Sequence, residues 1–187
     1  MPETVRPILG FMARATGSWL TGPTETPGDP EPSEYPGEHI GLPRSGAGSL
    51  VGMARRITAM AVDWVIAMGI AALIVRPNPD RIIAETELPA GVAEPTAFEA
   101  VSGALSTPTW LVWMAIGLLA VALFGFTPGQ YFLRLRVIRI DAPVRVGFLR
   151  ALARQVLLTF VVPALFTDGD GRGMHDRATG TAVVRTR

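Results

Sequence analysis

Apolar residues along this chain are not spread evenly; they collect in three blocks separated by polar stretches rich in Pro and Gly. The first block, residues 57–75, is broken only by Thr58 and Asp63. As a helix it extends roughly 28 Å, about the thickness of a bilayer's hydrocarbon core. Arg55 and Arg56 open it, and Arg76-Pro77 closes it. The second block, 110–126, carries no charge and follows Pro108, a residue suited to a first helical turn. Trp110 and Trp113 are predicted at the headgroup level, where amphipathic rings are favoured. Both blocks are read as membrane spans.

Thr127-Pro128-Gly129-Gln130 has the residues of a type II turn. Leu133 to Ile140 then alternates and is rich in β-branched residues, which predicts a strand of period two. The third block, 148–166, opens as an amphipathic helix with Arg150 and Arg154 on one face. Its uncharged part is interrupted by Pro163 and is short, more typical of a re-entrant or interfacial segment than of a full span. A third full crossing would put the tail outside; a helix that enters the membrane and returns is favoured. The tail would then share a side with 133–140, whose strand would pair with the β-branched run 181–185. Two lone strands are unfavourable.

Upstream, Ile8 to Ala13 is flanked by Arg6 and Arg14, too short an apolar run for a secretory signal. Residues 1–20 are read as a short interfacial helix or a disordered tail. Residues 21–49, with six Pro and five carboxylates, are read as a disordered Pro/Gly-rich linker. Residues 50–187 form the membrane domain. The fold class expected is an all-α membrane protein with two transmembrane helices, a third amphipathic or re-entrant helix about 148–166, and a small cytoplasmic two-stranded β-ribbon.

Charge orients it. The connection 127–148 holds four Arg and one Asp, whereas 76–109 holds two Arg and five acids. The positive-inside rule places 127–148 and the N-terminus in the cytoplasm and 76–109 outside. The net charge of +1 says little about partners. The bilayer is one partner, a homo-oligomer or hetero-complex is expected, and no nucleic acid is.

Composition removes several chemistries. The chain has no Cys, which excludes a disulfide framework and Cys-based zinc, and its two His lie far apart in sequence. All 17 basic residues are Arg, so a P-loop lacks its Lys. Neither GxSxG nor HExxH is present, and no nucleophile has an adjacent base in sequence. Asp168-Gly169-Asp170-Gly171-Arg172-Gly173 fails as a calcium loop, because Arg172 and Thr179 stand at ligand places. It is read as a polar turn. No enzymatic activity and no cofactor are expected.

Three charged residues remain as candidates. Asp63 lies inside the first span, where a carboxylate costs about 2.5–3.5 kcal/mol on insertion scales. It is either a proton- or cation-handling group or a polar anchor between helices. Arg56, two turns earlier on the same face, is roughly 10 Å away along the axis. It is expected to meet an acid from elsewhere, with Asp176 the candidate.

The run Arg56-Ile57-Thr58-Ala59-Met60-Ala61-Val62-Asp63-Trp64, then Thr127-Pro128-Gly129-Gln130 leading to Leu135-Arg136-Val137, then His175-Asp176-Arg177-Ala178-Thr179-Gly180-Thr181 resembles the RDD family. That family of prokaryotic membrane proteins takes its name from one Arg and two Asp, which by position are Arg56, Asp63 and Asp176. The resemblance covers roughly 50–187. It departs at Gln130, where the family often has Lys, so any lipid-phosphate contact made by that Lys is lost. The resemblance implies a multi-pass protein of a prokaryotic plasma membrane, and transport of unknown ligands is proposed for the family; two classes of function are then expected. One is a proton- or cation-linked transporter or transport subunit; the other is a non-transporting scaffold that binds a partner through its cytoplasmic face.

Overall fold

The computed structural model describes residues 33–89, 91–160, 167–168 and 170–187. Its elements are α1 (Met53–Val75), α2 (Pro79–Glu85), α3 (Ala97–Phe124), α4 (Pro128–Phe132), β1 (Leu135–Arg139), α5 (Phe148–Thr159), α6 (Met174–Thr179) and β2 (Thr181–Arg185). Helices α1 and α3 are both long and apolar enough to cross a membrane. They run roughly 35 Å and 42 Å.

The two long helices pack through stripes with a spacing of about four residues. On α1 the stripe is Ala59, Asp63, Ala67 and Ala71; on α3 it includes Leu105, Thr109, Trp113, Gly117 and Val121. Small residues on one side let the backbones approach closely. Outside the stripes the surface stays apolar, with Val65, Leu73, Ile74, Leu111 and Leu119 all exposed. A helix facing water would carry polar groups there.

Three readings of this region are corrected. The second long helix starts at Ala97 rather than near Trp110, because Thr96 and Glu99 form a capping box. The Thr96 Oγ1 accepts from the Glu99 N–H at 3.3 Å, and Glu99 Oε2 accepts from the Thr96 N–H at 2.7 Å. Pro108 lies inside the helix, where the loss of one backbone bond does not stop it. Trp113 is buried midway along α3, edge-on to Trp64 at 5.9 Å, not at a helix end. The sequence 127–130 is the first turn of α4 instead of a type II turn. Thr127 is its N-cap, Pro128 fills the first position, and Gln130 Oε1 accepts from the Thr127 N–H at 3.0 Å.

Strands β1 and β2 pair antiparallel, with Val137 opposite Val183. The first strand begins only at Leu135, because Arg134 adopts a left-handed conformation (φ 58°) that ends the extended run. The ribbon buries apolar residues on both faces. Leu135, Val137 and Val183 join Val51, Ala59 and Val121 on the helix side. Ala182 and Val184 are covered by Leu50, Ile40 and Leu42 on the other.

That second face explains a further correction. Residues 33–49 of the expected disordered linker form turns, tied down by Gly37 N–H to Asp170 O (2.9 Å) and Gly48 N–H to Arg185 O (2.8 Å). Burying Ile40, Leu42 and Leu50 offsets the entropy of ordering the segment. The readings for 1–20 and 21–32 lie outside the described residues. Helix α5 accounts for the start of the 148–166 reading, and 161–166, where a return would occur, also lie outside them.

The turn from β1 to α5 is clamped by Asp141. Its Oδ2 accepts from Arg139 Nη2 at 2.6 Å and from Arg150 Nη2 at 2.8 Å. The hydrogen bond from Arg139 first, and that from Arg150 after it, hold this exposed carboxyl well below the usual carboxylate range. A depressed carboxylate stabilises above its unfolded pKa of about 3.9 and loses that contribution only as pH falls through the lower folded value. The Tm difference between wild type and Asp141→Asn is therefore expected to hold from pH 7 to about 4.5 and close in stronger acid. Melting curves at stepped pH check it; closure already at pH 5 contradicts the clamp.

Candidate functional site

An ion cluster joins Arg56 near the start of α1, Arg154 midway along α5 and Asp176 in α6. Asp176, in the first turn of α6, is fully buried. Its Oδ1 is ion-paired with Arg154 Nη1 and accepts from Thr181 Oγ1 at 3.1 Å. Its Oδ2 lies 3.5 Å from both Arg56 Nη1 and His175 Nε2. Arg56 also donates from Nη2 to the Gly171 carbonyl at 3.3 Å. Arg56 and Asp176, predicted to meet, do so across 120 positions of sequence.

Two guanidinium groups thus share one carboxylate, and the buried Arg56 Nε finds no acceptor among the described residues. Such a cluster is expensive to bury, and breaking it is more expensive still. Local sequence explains how it is assembled. A Cβ at Gly173 would fall 2.7 Å from the His175 ring and 3.3 Å from Arg56 Nη1, so only Gly allows α6 to bring its first turn this close. Arg150 and Arg154 share a face of α5, yet they serve different partners. Arg150 reaches Asp141 and the Thr179 carbonyl (3.3 Å) at the far end of α6, while Arg154 takes Asp176. Cations suit those terminal carbonyls.

Asp63 is not part of that cluster. Its Oδ2 accepts from Thr127 Oγ1 at 2.5 Å, and its Oδ1 accepts from the Gly129 N–H at 2.7 Å. Thr127 Oγ1 accepts in turn from the Gln130 N–H at 3.2 Å. The carboxylate therefore latches α4 onto α1. Gly129 is required for the latch, since a Cβ there would sit 2.2 Å from the Ala59 carbonyl oxygen.

Between latch and cluster lies a cavity of about 60 Å³. Asp63, Thr127 and Gln130 line it at one end, Arg56, Arg154 and His175 at the other, with Gln155 and Gly117 beside them. The volume suffices for a few waters with polar partners. Gln155 is buried against the backbone of α3 at Gly117, where a Cβ would come within 2.3 Å of its amide oxygen. The three candidate residues thus all border the same cavity or the ion cluster at its end. Among the described residues no group of three or more His, Cys, Asp or Glu is placed to hold a metal ion.

The RDD family model matches residues 50–180. The chain belongs to the RDD family. Neither a curated protein nor a solved structure matches it. Family membership together with the two apolar helices points to a membrane protein. In this RDD protein several site residues escaped the sequence reading: Arg154, His175, Thr127, Gly129 and Gln155. Signals for two were present. An Arg one turn beyond another in an apolar helix asks for a buried partner, and Thr followed three places later by Gln is a capping box. Nothing local marks Gln155.

Proposed function

We propose that this RDD protein is a multi-pass membrane protein whose interior cavity serves a proton- or cation-linked transport step, with no catalytic activity of its own. The carrying observation is the convergence of Asp63, Arg56, Arg154 and Asp176 on one interior cavity and the ion cluster at its end. Charge inside a membrane domain is costly and normally marks an ion or proton path. In this reading α1 and α3 cross the plasma membrane of a prokaryote. The ribbon, with the Arg-rich connection, lies in the cytoplasm, and the N-terminus lies on the same side. The pairing of β1 with β2 supports one side for both segments. Two spans enclose no path alone, so the working unit is an oligomer or a complex with another chain, and the exposed apolar faces of α1 and α3 are suited to that contact.

A scaffold without transport is the second reading, favoured by one observation: both carboxylate oxygens of Asp63 are already used to hold α4. Asp63→Asn separates the two. The amide oxygen still accepts from the Gly129 N–H, so shape is kept while charge is removed. Transport predicts normal insertion and assembly with at least a tenfold loss of flux in everted vesicles, measured with several cations under a pH gradient. Unchanged flux, or failure to assemble, favours the scaffold.

A further inference from the structure

A second, larger cavity of about 1020 Å³ opens at the C-terminal end of α3, outside the cluster described above. One wall is apolar and belongs to the end of the helix: Leu123, Phe124 and Phe126. The other is basic, formed by β1 and the loop after it, with Arg136 and Arg145. The charges are not equally available. Arg139 and the single acid in the groove, Asp141, neutralise one another, and Arg150 adds to that pair from outside. The side chains of Arg136 and Arg145 make no hydrogen bond or ion pair with the described residues, and both are exposed. The groove therefore offers two uncommitted cations beside an exposed hydrophobic wall.

Its level relative to a membrane follows from a separate feature. Phe124, Phe126, Tyr131 and Phe132 form a row of rings with successive centroids 6.0, 5.4 and 6.1 Å apart. Tyr131 and Phe132 are exposed by 64% and 69%. The exposed Tyr131, with a polar tip at the end of an apolar helix, suits the interface between hydrocarbon and headgroups. At that depth a ligand must present an apolar chain to Leu123 and Phe124 and an anion to the arginines.

We propose that this groove is a binding site for an anionic phospholipid of the surrounding leaflet, its phosphate held by Arg136 and Arg145 and an acyl chain lying on Leu123, Phe124 and Phe126. The site rests on the membrane reading above but is independent of transport. A free phosphate has no use for the apolar wall. Basic pockets at helix ends are suited to lipid headgroups, and guanidinium groups match phosphate geometry better than ammonium groups.

The test uses the full chain in nanodiscs of mixed phosphatidylglycerol and phosphatidylcholine, with retained lipid counted by native mass spectrometry after release. Each basic residue near an anionic surface is worth about fivefold in affinity, so Arg136→Gln/Arg145→Gln is expected to lower phosphatidylglycerol retention about 25-fold. Arg136→Lys/Arg145→Lys retains most of it, and Arg55→Gln, an exposed cation outside the groove, changes it less than twofold. Neither groove arginine side chain makes a hydrogen bond or ion pair with the described residues, so the double variant is expected to fold. Equal retention by wild type and the Gln double variant, or an equal loss in Arg55→Gln, overturns the site. Recovery of the wild type in the soluble rather than the membrane fraction overturns the membrane reading instead, which keeps the two failures apart.

Discussion

Asp176→Ala is expected to destabilise the protein by about 3–5 kcal/mol, the usual cost of stripping one partner from a buried ion cluster. That is a large part of the 5–15 kcal/mol that typically separates folded from unfolded states. Among the described residues the carboxylate is the only acid ion-paired with Arg154 and Arg56, of which Arg154 is buried and Arg56 mostly so. Removing it leaves two cations facing each other in the interior, and Thr181 loses its charged acceptor. Asp176→Asn keeps the shape and is expected to be nearly as damaging, since shape is not what the cluster lacks. Replacing all three charged residues together (Arg56→Met, Arg154→Met, Asp176→Leu) is expected to recover most of the loss, because the desolvation cost goes with the charges. Melting of the detergent-solubilised protein, followed by tryptophan fluorescence, reads the difference. A Tm for Asp176→Ala within two degrees or so of wild type contradicts this account.

Gly129→Ala is expected to cost about 3 kcal/mol or more, although it adds a single methyl group. The new Cβ would meet the Ala59 carbonyl oxygen at 2.2 Å and the Asp63 Cγ at 3.0 Å, so α4 must lift away from α1. Overpacking of this kind costs about 1–3 kcal/mol. Lifting α4 also takes the Gly129 N–H and the Thr127 hydroxyl away from Asp63. An unsatisfied buried polar group adds about 1–3 kcal/mol, more when it is charged. The obstacle is backbone, so no substitution at Ala59 relieves it, whereas Asp63→Asn in the same chain recovers the charged part only. Side-by-side melting of Gly129→Ala, Asp63→Asn and the double variant measures this. A Gly129→Ala protein as stable as wild type would mean that α4 does not rest on α1 as described.

The same residues show what was legible before the structure. The 57–75 block became most of α1, because an apolar run of that length, broken by a single charge, has few alternatives to a helix. The pairing of 133–140 with 181–185 was readable from period two and β-branching, and only its ends moved. The start of α3 was misplaced because Pro108 looked like a helix opening, while the Thr96–Glu99 box that does open it lay in a stretch of polar and small residues. The linker reading failed at 33–49 for a different reason. Its composition is that of a disordered segment, but the cover that β2 requires on its second face is a property of the ribbon and not of the linker.

Hydrophobic length, charge asymmetry and strand periodicity belong to the sequence itself: each is a local pattern whose energetic consequence scales with its own residues. From them come two apolar helices, a ribbon, and three charged residues with no local partner. The tertiary structure alone decided the partners. Asp63 meets Thr127 and Gly129, Arg154 rather than Arg150 takes Asp176, and Gln155 is buried against Gly117, over separations of 22 to 66 positions. No short-range rule selects among such contacts, because buried charge and close backbone approach are settled only when separate elements dock and each polar group must find its complement in what arrives.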